Sequence, residues 1–260
     1  MNIKELFTRL EAVLPRSLCA AWDNDGLACC PDSAREVRRV LLALDVTDEV
    51  VDRAVKEGFD LILTHHPLMF RGVKALTDTA PTSGKLIRLV RAGISAISLH
   101  TRLDAAQGGV NDTLALLFGL QDVVPFGTAE DGELGRIGRL TAPRTARTFA
   151  EFVAKKLGTP AVLLAGGDRE ITTVALVGGE GGDFVDAAIA AGAEVFLSGR
   201  IGYHRMLDAV ESGISLIEAG HFATERPVLA RMEEILRDVD PNLEIEVECA
   251  PVIETVICKK

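Results

Sequence analysis

Aromatic residues are scarce in this chain of 260 residues: they make up 5% of it, with one Trp and one Tyr. Hydrophobic residues nevertheless reach 48%, so the core must be mainly aliphatic and is large enough for one large α/β domain or two lobes. The sequence also lacks an uncharged apolar run of about 18 residues, the length that a membrane-spanning helix requires. We therefore expect a globular protein with no membrane partner.

Paired cysteines and clustered positive charge are also lacking. The five cysteines include no C-x-x-C pair, which argues against a disulfide framework or a zinc ribbon and favours reduced thiols in the cytoplasm. The opening residues 1–6 lack the apolar stretch of a signal peptide and read as the start of an amphipathic helix. The net charge is −10 and the densest basic run, 35–39, is short, so no nucleic-acid partner is expected.

Short apolar runs alternate with amphipathic helices along most of the chain. Residues 40–44 and 61–64 read as buried strands, joined by a helix that ends at Gly58. After a less regular middle, from about 121 to 170, the alternation resumes at residue 173. This order of elements predicts an α/β fold with mainly parallel sheets flanked by helices.

The two alternating stretches resemble each other. Residues 51–64 match 185–198, and residues 93–97 match 213–217, in the same order along the chain. Two matching blocks favour an internal duplication on the scale of a domain. The sequence thus predicts two similar α/β lobes packed as one unit, covering residues 1–125 and 126–260.

Four of the five histidines follow predicted strands, directly or after two small residues: His65, His66, His100 and His221. In open α/β sheets, ligands collect beyond the carboxyl ends of the strands. One such histidine would more often be structural, but four in equivalent places indicate a functional site.

Carboxylates accompany two of these histidines at a repeated spacing. His100 and Asp104, and likewise His221 and Glu225, form His-x-x-x-acid units after a strand. An alternative is that each acid merely favours the N-terminus of the following helix through the macrodipole. That explanation suits one acid better than two at equal spacing.

The adjacent pair His65-His66 suggests two metal ions rather than one. Successive side chains of an extended segment point to opposite sides, and Pro67 favours an extended backbone at His66. Asp104 has two oxygens with which to bridge the ions. The predicted ligands are His65, His66, Asp104, His221 and Glu225. Their nitrogen and oxygen donors suit zinc, manganese, iron, cobalt or nickel. Two carboxylates do not neutralise two divalent ions, and the remaining positive charge suits an anionic substrate and the activation of water.

These residues lie in four motifs: Trp22-Asp23-Asn24-Asp25-Gly26-Leu27, Thr64-His65-His66-Pro67-Leu68, His100-Thr101-Arg102-Leu103-Asp104 with Gly109-Val110-Asn111-Asp112, and Ala219-Gly220-His221-Phe222-Ala223-Thr224-Glu225. In order and over nearly the whole chain, they resemble the GTP cyclohydrolase 1 type 2 (Nif-three-like) family. The resemblance implies a dinuclear metal site in the cleft between two similar α/β lobes, with the five ligands named above and His100 close by. It also implies a toroidal homohexamer.

The resemblance implies a metal-dependent hydrolase that uses two divalent metal ions per chain on a small anionic substrate such as a nucleotide. Ring opening of GTP is the activity in the family name. His100 and His204 are the candidate catalytic residues for proton transfer, although His204 is equally well an ordinary helix histidine. Residues 22–24 are expected to shape the wall of the site rather than to react. A non-enzymatic metal carrier or metal-sensing regulator would use the same ligands and remains an alternative.

Two further features bear on the substrate. The turn 178–182 is rich in glycine, follows a predicted strand and begins a helix, which permits close approach of the backbone to a phosphate. It lacks the dinucleotide fingerprint and a P-loop lysine. Arg200 stands where the family usually has an acid, and either engages a substrate phosphate or forms a surface ion pair.

Overall fold

The computed structural model describes residues 1–257; residues 258–260, the end of the predicted second lobe, lie outside the described residues. The strands are β1 (Gly26–Cys29), β2 (Arg39–Ala43), β3 (Leu61–Thr64), β4 (Ser95–Ser98), β5 (Gln121–Thr128), β6 (Gly132–Thr145), β7 (Leu163–Ala165), β8 (Glu170–Glu180), β9 (Val195–Arg200), β10 (Ser215–Glu218) and β11 (Glu244–Val247). The helices are α1 (Ile3–Val13), α2 (Asp48–Glu57), α3 (Pro81–Ala92), α4 (Thr101–Ala105), α5 (Val110–Phe118), α6 (Ala146–Leu157), α7 (Val185–Ala190), α8 (Tyr203–Glu211), α9 (His221–Glu225) and α10 (Val228–Val239).

The chain forms two compact units. The first contains 1–103 and 229–250, and the second contains 104–228 and 251–257. The boundary thus differs from the predicted one after residue 125 because hydrophobic packing and strand pairing override chain order. Helix α5 packs its buried face into the core of the second unit, and β11 returns to pair with β2 in the first.

The first unit is built on a sheet in the order β1-β4-β3-β2-β11. Strands β4, β3, β2 and β11 are parallel, and β1 runs antiparallel to β4. Helix α2 shows why the sequence folds locally: Thr47 caps its first turn by accepting the N–H of Val50, and Gly58 ends it in the left-handed conformation. Its buried face packs on an aliphatic core that includes Leu41 and Ile62.

The second unit has a mixed sheet in the order β5-β6-β8-β9-β10-β7. Only its centre, β8-β9-β10, is parallel among the pairings of the described residues, while β5, β6 and β7 add antiparallel neighbours. The α/β prediction is therefore confirmed, with the qualification that a β5–β6 hairpin makes this sheet less parallel than the sequence indicated. Within residues 1–257, no helix is long and apolar enough to cross a membrane.

The internal duplication predicted from the sequence has a structural counterpart. Strands β2-β3-β4 and β8-β9-β10 are parallel neighbours in the same order within their own sheets. Gly58 and Gly192 adopt positive φ before β3 and β9, and Gly93 and Gly213 do so before β4 and β10. His65, His66 and His100 consequently follow β3 and β4 of the first unit, and His221 follows β10, the counterpart of β4 in the second.

Candidate metal centre

Three imidazoles meet at the carboxyl edge of the first sheet. His65 and His66 follow β3, His100 lies two residues beyond β4, and these strands are parallel neighbours. The ring centroids of His65 and His66 are 4.9 Å apart, and that of His100 is 5.3 and 5.6 Å from them. One ligand nitrogen from each ring lies within 4.8 Å of the other two. The donor set and spacing are those of a group able to hold a metal ion.

The hydrogen bonds of these rings set their tautomers. Each Nδ1 faces an oxygen acceptor: Leu99 O at 3.0 Å from His65, Asp45 Oδ1 at 2.9 Å from His66, and Asp23 Oδ2 at 2.9 Å from His100. Because Nδ1 must carry the hydrogen to donate in this way, the lone pair of the neutral ring is on Nε2. Metal-binding histidines are commonly oriented by such a bond to a carbonyl or carboxylate. The donor chemistry of this group therefore fits a divalent metal.

Asp23 is the buried carboxylate that orients His100. It also accepts the backbone N–H of Thr101 at 3.1 Å and the Thr101 hydroxyl at 2.6 Å. Burial alone would raise the pKa of Asp23, but the hydrogen bonds from His100 and Thr101 outweigh it and lower the pKa to about 2. Asp23 is thus held as an anion that accepts from the His100 ring and from two groups of Thr101.

A second buried carboxylate, Asp25, fixes the backbone at His100. Its Oδ2 accepts the His100 N–H at 2.9 Å, and its Oδ1 lies 2.8 Å from Arg102 Nη2 in a fully buried ion pair. Arg102 also donates to the carbonyl of Leu14 at 3.0 Å. Burial raises the pKa of Asp25 despite the opposing effect of Arg102. The turn that carries His100 therefore rests on a desolvated pair of opposite charges.

The second unit brings His221 and Glu225 together. Both lie on α9, four residues apart, so they share one face of the helix. His221 Nε2 is 3.1 Å from Glu225 Oε2, with Glu225 buried and His221 partly exposed. The His-x-x-x-acid spacing thus brings the two side chains together because α9 begins at the histidine and residues four apart lie on the same face of a helix.

Asp104 and Glu225 of the second unit are tied to neighbouring strands by a buried polar network. The amide of Asn111, fully buried, donates to the carbonyl of Asp104 at 3.3 Å and accepts the N–H of Gly178 at 2.7 Å. The next N–H, of Gly179, donates to Thr224 Oγ1 at 3.0 Å. Hydrogen bonds therefore run from the backbone of Asp104 through β8 to the residue before Glu225.

This network also answers the phosphate interpretation of the turn 178–182. The N–H groups of Gly178 and Gly179 donate to side chains, as described above. The N–H of Gly181 donates to the carbonyl of Arg200 at 2.9 Å. Three of the backbone amides that would have to bind a phosphate already donate hydrogen bonds within the protein. The prediction of a phosphate site is therefore wrong for these three amides. The glycines instead allow close packing, because an added Cβ at Gly179 would overlap with Glu225 Oε1.

The family model described as Duf34/NIF3 (NGG1p interacting factor 3) matches residues 1–255. The chain belongs to the Duf34/NIF3 family. A GTP cyclohydrolase 1 type 2 homolog of Clostridium perfringens is 33% identical, covering 94% of this chain and 95% of its own length. Protein NIF3 homolog of Schizosaccharomyces pombe is 34% identical, covering 85% and 83%. The crystal structure of a Staphylococcus aureus hypothetical protein has a TM-score of 0.87 at 27% identity, covering 98% of this chain and 99% of that one.

Two residues singled out in the sequence lie at the surface of this NIF3-family protein. Arg200 Nε is 4.0 Å from Glu180 Oε1, with both side chains exposed, which is the surface ion pair of the two alternatives. His204 is exposed on α8, its ring centroid 5.3 Å from that of Tyr203. Neither the three-imidazole group nor the pair on α9 includes His204, so its catalytic role stays a prediction.

Several positioning residues escaped the sequence analysis. Asp23 was expected only to form part of the wall of the site, and no role was expected for Asp45, Arg102 or Asn111. Asp45 was accessible to the same reasoning as the histidines, since it lies two residues beyond the carboxyl end of β2. Asp23, Arg102 and Asn111 act through buried contacts with residues that are distant in the sequence, which no spacing reveals.

Replacing Asp23 by asparagine should remove stability in a pH-dependent way. The pKa is lowered from its usual 3.8 to about 2, so the ionised carboxylate contributes about 2 kcal/mol. This contribution is fully present above about pH 4 and is lost as the pH falls towards about 2. Urea unfolding should give a difference between native and Asp23→Asn protein that is constant above about pH 5 and shrinks below about pH 4.

The matched control is Asp168→Asn, at an exposed aspartate paired with exposed Arg147. Its effect should be a few tenths of a kcal/mol at most. A difference for Asp23→Asn that does not change with pH over this range would contradict the assignment.

Proposed function

We propose that this chain is a dinuclear metal-dependent hydrolase that acts on a small anionic substrate such as a nucleotide. The proposed ligands are His65, His66, Asp104, His221 and Glu225. The observation that carries the proposal is the tautomer of His65 and His66: each Nδ1 is engaged by an oxygen acceptor, which leaves the lone pair on Nε2 for a metal.

The chemistry of the donor set supports this reading further. The fully buried imidazole of His65 and the buried carboxylate of Glu225 are donor types that bind divalent cations. Mixed imidazole and carboxylate ligands suit zinc, iron, manganese, cobalt or nickel. Such ions, when bound, act as Lewis acids and lower the pKa of water.

The remaining residues have roles that follow from their contacts. Asp23 holds the His100 ring through Nδ1, so Nε2 of His100 is the atom that accepts and returns a proton during hydrolysis. His204 is the second proposed proton carrier. GTP is the first substrate to test, since relatives are named GTP cyclohydrolase 1 type 2 homologs. A toroidal homohexamer in the cytoplasm completes the proposal.

Metal content tests the proposal most directly. Protein purified without chelator and loaded with zinc, manganese, iron, cobalt or nickel should hold about two ions per chain by elemental analysis. Asp104→Ala should lower this number and abolish the opening of GTP or the hydrolysis of a phosphoester. The control is Asp208→Ala, an exposed aspartate of α8, which should change neither metal content nor turnover.

The outcomes separate the proposal from its rival. His100→Ala should retain metal and lose turnover, because His100 is proposed to move protons. Two ions per chain without turnover on any of these substrates would overturn the hydrolase and favour the metal carrier. A metal content near zero would overturn both. Sedimentation at several protein concentrations tests the hexamer separately.

A further inference from the structure

Two large aromatic side chains lie exposed beside the histidines of the first unit. Trp22 is 53% exposed and its ring centroid is 6.2 Å from that of His100. Phe70 is 56% exposed, with its centroid 5.4 Å from that of His100 and 6.3 Å from that of His66. In a chain with so few aromatic residues, two exposed rings around one imidazole call for a function.

The two rings are held by connected segments. Trp22 lies in the loop before β1, and Phe70 lies in the loop after β3. The side-chain amide of Asn24 donates to the carbonyl of Met69 at 2.6 Å, which joins the two loops next to the aromatic residues. We call Trp22 and Phe70 the aromatic rim.

We propose that the aromatic rim binds a planar heteroaromatic ring, such as the base of a nucleotide, beside His100. Every nucleotide base has a π face that stacks on aromatic side chains, whichever base it is. The imidazole edges beside the rim can form hydrogen bonds with a heteroaromatic ring. An aliphatic ligand or an apolar protein surface would remove water from these imidazoles without offering them a hydrogen-bond partner. The inference rests on the proposed function only for what happens to the ring after it binds.

The chain offers its own probe, because Trp22 is its only tryptophan. Titration of the full chain with GMP or AMP should change the tryptophan fluorescence saturably. Ribose 5-phosphate and inorganic phosphate, which lack the ring, should bind at least tenfold more weakly or leave the fluorescence unchanged. An equal response to ribose 5-phosphate, or no saturable response to either nucleotide, would overturn the proposal.

Variants of the rim provide the second measurement. Phe70→Ala should weaken GMP binding by about 5- to 150-fold, the factor expected for one lost base–aromatic stack, and Phe70→Tyr should restore most of it. Trp22→Ala should have a similar effect, measured by calorimetry. Leu76→Ala, at a residue of the same loop that is 69% exposed, should leave affinity unchanged; an equal loss there would count against the rim.

Failure of this inference is distinguishable from failure of the proposed function. Cobalt or nickel bound by the neighbouring histidines should quench Trp22 fluorescence, whereas zinc should not. Nucleotide binding without metal binding would contradict the proposed dinuclear hydrolase and support base binding by the aromatic rim. If instead Phe70→Ala changes the sedimentation coefficient and no nucleotide binds, the rim is a contact between copies and the inference fails.

Discussion

Replacing Arg102 by alanine should lower the free energy of unfolding by about 3–5 kcal/mol, the loss expected when one partner of a buried ion pair is removed. Arg102 and Asp25 are both fully buried at the side chain and 2.8 Å apart. The variant would leave the Asp25 carboxylate in the core without its counter-ion. It would also leave the carbonyl of Leu14 without the donor that now lies 3.0 Å away.

The pH dependence of this loss has a definite sign. Burial already raises the pKa of Asp25 against the influence of Arg102, and removing the guanidinium raises it further. A carboxyl group whose pKa is higher in the folded state loses stability as the pH rises through the interval between its unfolded and folded pKa values. The deficit of Arg102→Ala, measured by urea unfolding, should therefore be larger at about pH 8 than at about pH 5.

Two further variants isolate the pair. Arg147→Ala removes an exposed arginine paired with Asp168 and should change stability by less than about 1 kcal/mol. Adding Asp25→Asn to Arg102→Ala removes the uncompensated charge while keeping an acceptor for the His100 N–H, so it should recover part of the loss. If Arg102→Ala lost no more free energy of unfolding than Arg147→Ala, the ion pair of Arg102 and Asp25 would not be buried as described.

Arg102 also illustrates what the sequence could not reveal. Hydrophobic periodicity predicted the central strands because buried parallel strands are continuous apolar runs, as 40–44 and 61–63 are. The rule that ligands lie at strand ends then located the histidines. A fully buried arginine contradicts the usual preference of charged residues for solvent, so it becomes visible only when Asp25, far away in the sequence, is seen beside it.

The less regular middle of the chain was the weakest part of the prediction. The sequence showed no regular alternation between about 121 and 170, whereas the structure has a long hairpin of β5 and β6 there. Glycines at 127, 132, 135 and 138 interrupt the apolar alternation there. The reason is steric at Gly138, where a Cβ would lie 2.9 Å from the carbonyl oxygen of Gln121, and conformational at Gly132, which has a φ of +75°. Close backbone approach is a tertiary property that propensity does not encode.

Replacing Gly179 by alanine should weaken zinc binding by about 10- to 100-fold. The added Cβ would overlap with Glu225 Oε1 and lie 3.2 Å from His221 Nε2, so it would displace the carboxylate of one proposed ligand and crowd the imidazole of the other. Gly179 also has a φ of +65°, which costs an alanine about 1–2 kcal/mol. The variant should consequently lose both stability and metal affinity.

Gly167→Ala separates these two effects. Gly167 has a φ of +75° in the same unit, but an added Cβ there meets nothing within 4 Å. It should lose a similar amount of stability in urea unfolding and keep the native zinc affinity in calorimetry. Adding Glu225→Asp to Gly179→Ala shortens the carboxylate side chain by one methylene and should relieve the overlap. If Gly179→Ala and Gly167→Ala bound zinc equally well, the close packing of β8 against α9 would have no part in holding the metal, because the two substitutions differ only in what their Cβ meets.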